Sequence, residues 1–314
     1  MAAIIAEATT VWGLQLPVQS KSTAYRQPWE LDAGAEDLAR VATAADRAGA
    51  FYVAVCDHVA IPRPADEVMS DTWYDTVATL GWLAALTDRV HLVSHVYVLP
   101  YRHPLPPAKS FMTLAALSGG RAVLGAGAGH LDSEFALLGV DYAGRGRATE
   151  DAIAVIRAAF AEEYPTVGGP GAEVGVGMAP RPARLGGPPI WIGGSSAAAM
   201  RRAATLADGW LPQGPPKDGM RAGIARIREL RSAAGLPDAF DMGTNVEPIH
   251  IGSPAFDVSE WTLTGGPDQI AEGLAKYLKL DVNQWQLRFL GQSSAEVADQ
   301  IERFGSEVWP LLFH

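Results

Sequence analysis

The sequence predicts an α/β protein, a (β/α)8 TIM barrel in one domain over residues 1–314. Short β-rich runs alternate about eight times with longer segments of helical period, the pattern that yields a parallel sheet covered by helices. The length of 314 residues suits eight strand–helix units, which need roughly 250 residues plus insertions. A doubly wound dinucleotide-binding fold would share the alternation, but its fingerprint fails here. The run Gly125-Ala126-Gly127-Ala128-Gly129 has His130 in the sixth position and follows the fourth strand candidate instead of the first.

In chain order the strand candidates are 11–16, 51–55, 90–98, 121–126, 189–192, 209–211, 245–251 and 285–289. Helical spacing of apolar residues places helices at 35–48, 73–86, 105–117, 147–161, 197–207, 217–234, 267–278 and 295–312. Gly49 stops the first helix and Ser118-Gly119-Gly120 the third, since glycine takes the left-handed conformation that ends a helix. The stretch 163–189 is rich in Gly and Pro, lacks periodicity and reads as an insertion at the barrel rim.

Composition narrows the function. With 48% hydrophobic and 19% charged residues the chain buries a substantial core. A net charge of −10 without a Lys/Arg cluster excludes a nucleic-acid partner, because affinity for phosphate backbones comes from clustered cations. The single cysteine, Cys56, excludes an intrachain disulfide, and no run approaches a membrane span. Residues 1–12 carry neither a basic leader nor a long apolar stretch, so a cytoplasmic protein is expected.

In a parallel barrel the residues that follow each strand gather at one face, so clusters distant in sequence share a site. Four stand out: Asp57-His58, Ser94-His95-Val96, Gly125 to His130, and Gly193-Gly194-Ser195-Ser196. The last opens onto a helix whose free amides suit a phosphate, and it equally describes a tight turn with an ordinary serine cap. Gly127, Ala128 and Gly129 allow a ligand close to the backbone, or form a structural turn. No metal site is expected: His58, His95 and His130 lack short-range ligand spacing with a carboxylate or thiolate nearby. A serine nucleophile has no Gly-x-Ser-x-Gly elbow to stand on.

Taken in order, Cys56-Asp57-His58, Leu92 to Val96 with Pro100 to Pro104, Leu117 to Arg121, Gly125 to Gly129, Glu134-Phe135, Pro189 to Ser195 and Ala207 to Pro212 resemble the luciferase-like flavin and deazaflavin oxidoreductases. The resemblance covers residues 10–215 and is strongest, over 117–140, to a subgroup using the deazaflavin coenzyme F420. It implies a barrel with the cofactor ring across the strand ends, commonly in a homodimer. It also implies a non-proline cis peptide at His95-Val96 pressing on the ring. Asp57, Ser94, His95 and Val96 would then contact the ring, Gly127, Ala128 and Gly129 would line it, and Gly193, Gly194, Ser195 and Ser196 would hold the phosphate. In alcohol- and sugar-phosphate-oxidising relatives a His, a Trp and a Glu handle the substrate hydroxyl; here His58 stands at the first, Pro62 at the second and His130 at the third. The resemblance therefore implies F420-dependent hydride transfer in the reductive direction on a small organic substrate, with His58 or His130 donating the proton. An FMN-dependent monooxygenase fed by a separate flavin reductase, and a non-catalytic flavin- or deazaflavin-binding protein, remain open beside it.

Overall fold

The computed structural model describes residues 3–167 and 174–313. Eight parallel strands close into a barrel: β1 (Val11–Gln15), β2 (Tyr52–Val55), β3 (His91–Ser94), β4 (Ala122–Gly127), β5 (Ile190–Ile192), β6 (Gly209–Trp210), β7 (Asp241–Asn245) and β8 (Gln284–Leu287). Neighbours in sequence are neighbours in the sheet, and β1 pairs with both β2 and β8, which closes the ring. Eight helices cover it: α1 (Ala35–Arg47), α2 (Thr76–Leu86), α3 (Leu105–Leu117), α4 (Arg145–Ala161), α5 (Ala197–Leu206), α6 (Met220–Ala233), α7 (Pro267–Leu274) and α8 (Ser294–Arg303). This is the (β/α)8 barrel that the alternation predicts.

Strand alternation builds two cores. Trp12, Leu14, Val53, Leu92, Leu124, Ile190 and Trp285 point outward beneath the helices, while Tyr52, Ala54, Val93, Val123, Trp191 and Leu211 fill the barrel interior. Punctuation acts as expected: Gly49 at φ 84° follows α1, and Gly119 and Gly120, at φ 66° and 92°, follow α3. The seventh strand differs from its expected place at 245–251. The barrel uses Asp241–Asn245, and Ile249–Ile251 pairs instead with Leu263–Gly265 outside it. Asp241, Gly243 and Asn245 face the interior, so this strand lacks the Val- and Ile-rich run that marks β2 and β5. The helix expected from residue 73 begins at Thr76, because the Asp75 side chain accepts the Ala78 amide at 2.8 Å and caps it. The insertion expected at 163–189 lies between α4 and β5, with 168–173 outside the described residues.

The N-terminal end of the barrel is closed by the segment before β1. The buried Asp241 carboxylate accepts the amides of Ile4 at 3.0 Å and Ile5 at 3.1 Å, together with Trp191 Nε1 at 2.9 Å. Burial pushes this carboxyl up to about 6, so its contribution to stability falls as pH rises from about 4 through 6. An Asp241→Ala variant leaves three donors without acceptors and is expected to lose about 2–4 kcal/mol of stability at neutral pH, read by chemical denaturation. Its segment before residue 10 should exchange amide hydrogens much faster than in the parent.

Candidate active site

A cavity of about 920 Å³ opens at the C-terminal ends of the strands, bordered by Asp57, Gly127 and Gly193. This is the face where a barrel gathers its functional groups, and the volume suits a ring cofactor together with a small substrate. Because the sheet is closed, the β4–β5 side of the mouth lies opposite the β8–β1 side.

Val96 forms part of the cavity wall, at the cis peptide His95-Val96 between β3 and the two-residue strand Tyr97–Val98. The flanking groups hold it there. Ser94 Oγ donates to the Gly125 carbonyl at 2.9 Å, and His95 Nε2 meets the Leu211 carbonyl at 2.8 Å. Burial lowers His95 to about 4, so the ring is neutral and Nε2–H is the donor. Asp57 accepts the Val98 amide at 2.8 Å and both ends of the Arg102 guanidinium, at 2.7 and 3.1 Å, and that guanidinium lies 4.3 Å from the Tyr97 ring centre. Of the three residues expected at the ring here, Val96 lines the cavity. The Ser94 and His95 side chains do not; they are buried in the bulge and fix its shape.

His58 stands at the cavity with its Nδ1 2.7 Å from Glu134 Oε2. Glu134 is fully buried and also accepts the Tyr101 hydroxyl at 2.7 Å, the Val59 amide at 2.7 Å and the Ala60 amide at 3.1 Å. Burial opposes its charge, but the His58, Tyr101 and Val59 hydrogen bonds outweigh that and hold the carboxyl down at about 2. An ionised carboxylate makes Nδ1 the protonated nitrogen, which leaves Nε2, without a protein partner among the described residues, open to a ligand. The Trp73 ring lies 4.4 Å from the His58 ring and His130 meets it edge-on at 5.6 Å. Desolvation, then repulsion from His58, lower the His130 pKa, which favours its neutral form.

At the opposite edge Gly193, Gly194 and Ser196 line the cavity where α5 begins. Ser196 Oγ accepts the Ala199 amide at 3.1 Å, the ordinary cap that the sequence left open, and the Ser195 hydroxyl donates to the Gly214 carbonyl at 2.8 Å outside the cavity wall. The backbone amides at the helix start remain for an anion. Arg145, the first residue of α4, lines the same end, stacked 3.7 Å over the Tyr142 ring and with no carboxylate within ion-pair distance among the described residues. The floor between the two edges is glycine-backed: a Cβ on Gly127 or Gly193 would run into the Val96 side chain. A flat ring over Val96 with a phosphate at the start of α5 fits this surface. Ala128 and Gly129, the latter at φ 76°, also line it.

Sequence reasoning gave no role to Glu134, Tyr101, Trp73 or Arg145. Glu134 stands inside a quoted motif, but its pairing with His58 spans 76 positions and only the barrel brings the two together. Trp73 and Glu134 place an indole and a carboxylate beside His58 from positions other than Pro62 and His130. No three His, Cys, Asp or Glu side chains could hold a metal ion among the described residues, and no described helix is long and apolar enough to cross a membrane.

Residues 15–250 match the family model for luciferase-like monooxygenases. An uncharacterized protein of Mycobacterium tuberculosis is 32% identical over 215 residues, covering 64% of this chain and 74% of that protein. Another from the same organism, named "Putative coenzyme F420-dependent oxidoreductase", is 29% identical over 175 residues, covering half of each chain. The crystal structure of monooxygenase RslO1 from Streptomyces bottropensis superposes with a TM-score of 0.76 at 21% identity, covering 96% of this chain and 99% of that one.

Proposed function

The chain belongs to the luciferase-like monooxygenase family, and from that premise we propose that it transfers hydride between coenzyme F420 and a small organic substrate, in the reductive direction. The observation that carries the oxidoreductase reading is the His58–Glu134 pair: it sets an imidazole with an unengaged Nε2 at the edge of a ring-sized cavity whose far end suits a phosphate, and the direction is what the assays with reduced and oxidised F420 below decide. When bound, the deazaflavin supplies the two-electron hydride chemistry. The chain itself positions, screens and protonates.

Val96, Gly127 and Gly193 would back the ring, and Gly194, Ser196 and Arg145 would hold the phosphate. Asp57 shapes this floor through Val98 and Arg102, with both of its oxygens committed. Reduction of a double bond leaves a centre that needs a proton, and His58 would give it from Nε2 when protonated on both nitrogens, with Nδ1–H held by Glu134. Glu134 takes no part in that transfer, because four donors occupy its two oxygens; its work is to fix the tautomer and the ring plane of His58. The lowered pKa of His130 makes it the weaker candidate for donor.

The resemblance over 117–140 and the F420-named relative support F420. The family description keeps an FMN monooxygenase with a partner reductase as the second reading. Parallel titration of the apoprotein with F420 and FMN decides between them. Reduced F420 is then offered with activated alkenes and imines, and oxidised F420 with alcohols and glucose 6-phosphate. Binding without any substrate-dependent change in cofactor absorbance would leave a non-catalytic binding protein, and turnover of the alcohols alone would reverse the direction. Gly194, at φ 85°, faces the proposed phosphate, so Gly194→Glu adds both backbone strain and a repelling charge there. F420 affinity should fall at least several-fold in fluorescence titration, and unchanged affinity would move the phosphate elsewhere.

A further inference from the structure

Arg26 and Arg288 line the cavity at its β8–β1 side, on the loop after β1 and directly after β8. Arg26 Nη1 donates to the Lys21 carbonyl at 2.9 Å and Arg288 Nη2 donates to the Tyr25 carbonyl. Among the described residues their other guanidinium nitrogens have no protein acceptor, and neither residue has a carboxylate within ion-pair distance. Of the four arginines that line the cavity, Arg202 is neutralised by Glu150, so this absence is particular to Arg26, Arg288 and the distant Arg145. The one acid close enough to act on both is the buried Glu30, and its two oxygens are taken by the amides of Val18 at 2.9 Å and Gln27 at 2.8 Å. Two guanidiniums against one carboxylate leave this end of the cavity cationic.

Beside the pair, Gln15, Asn245 and Gln286 line the cavity from β1, β7 and β8, which are adjacent in the sheet. Asn245 stands directly across from Gln286 in the register, and its buried Oδ1 has no partner. These amides offer hydrogen bonds to a polar ligand and add no charge.

We infer that the substrate is an organic anion whose carboxylate or phosphate group is held by Arg26 and Arg288. The position follows from the strand order. Arg145 and the start of α5 lie across the mouth on the β4–β5 side, so the two cationic ends serve different groups. His58 follows β2, two strands from β8, which at ~4.8 Å per strand puts the reacting centre within about 10 Å of the anion. The substrate is therefore compact, with no more than about 10 Å between its charge and the carbon that is reduced. The inference rests on reading the cavity as an oxidoreductase site, while the anion subsite itself is tested without turnover.

Benzoate and its uncharged methyl ester serve as probes in calorimetric titrations of the protein, with inorganic phosphate as a competitor of benzoate. Benzoate should bind at least tenfold more tightly than methyl benzoate. Arg288→Ala and Arg26→Ala should each weaken benzoate tenfold or more while leaving F420 affinity unchanged, and Arg26→Lys should restore most of it. Displacement of benzoate by phosphate at lower concentration than benzoate itself requires identifies a phosphate monoester; the reverse order identifies a carboxylate. Equal affinity for acid and ester overturns the inference, as does full benzoate affinity in both alanine variants with melting temperatures unchanged. Failure of F420 to bind the parent protein would remove the cofactor reading and leave the benzoate result standing.

Discussion

Replacing His58 with alanine is expected to lower turnover by about 10²–10⁴-fold, the usual range for loss of a positioned proton donor, while cofactor affinity stays within a factor of two. Rapid-mixing measurements of cofactor oxidation read both quantities. Glu134→Gln should lower turnover as well, for a different reason: the amide cannot accept from His58, Tyr101 and two backbone amides at once, so Nδ1 loses the partner that fixes its proton. The two variants separate by stability. A carboxyl held at about 2 against 4.5 in the unfolded chain contributes about 3 kcal/mol above pH 4.5. The folded-state pKa is depressed, so that contribution is lost as pH falls from 4.5 through about 2. His58→Ala should keep part of this acid-limb slope, because Tyr101 and the two amides remain, and Glu134→Gln should remove it. A turnover in His58→Ala equal to that of the parent would dismiss the imidazole from the chemistry.

A Gly125→Ala variant is expected to lose at least about 3 kcal/mol of stability, because a Cβ there would run into the Ser94 carbonyl oxygen and backbone cannot yield as a flexible side chain can. The same carbonyl belongs to the bulge that presents Val96, so any variant that still folds should bind cofactor poorly. The control is Gly81→Ala in α2, where a Cβ meets nothing within 4 Å; it should gain up to about 1 kcal/mol from helix propensity. Equal denaturation midpoints for the two variants would show that Gly125 is not a steric requirement.

The barrel was legible because its signals are local. Alternating period, the glycine stops after α1 and α3, and the apolar runs of β2, β4 and β5 each report on a few neighbouring residues. β7 was displaced because its inward positions are Asp241, Gly243 and Asn245, chosen for the closed end and the cavity and not for strand propensity. At the site, local sequence marks the clusters that follow the strands but not their division of labour. Ser94 and His95 were grouped with Val96, yet alternation and the turn of the chain put their side chains into the bulge. Asp57 lines the cavity as the resemblance implies, with its oxygens engaged by Arg102 and Val98; the Arg102 partner lies 45 positions away, beyond any local pattern. Arginines carry no periodic signature, so the cationic edge at Arg26 and Arg288 is visible only once the strands are closed.

The segment that hangs Ile4 and Ile5 on Asp241, with Tyr52 and Trp191 above it, stoppers the barrel at the end away from the cavity. On the proposed reading the ring lies against Val96 on the floor and the substrate lies over it, so traffic must queue. The cofactor enters first and leaves last, and the substrate reaches its reacting position only above a bound ring. Steady-state kinetics should therefore be ordered, with the spent cofactor competing against the incoming cofactor and the organic product competing with neither.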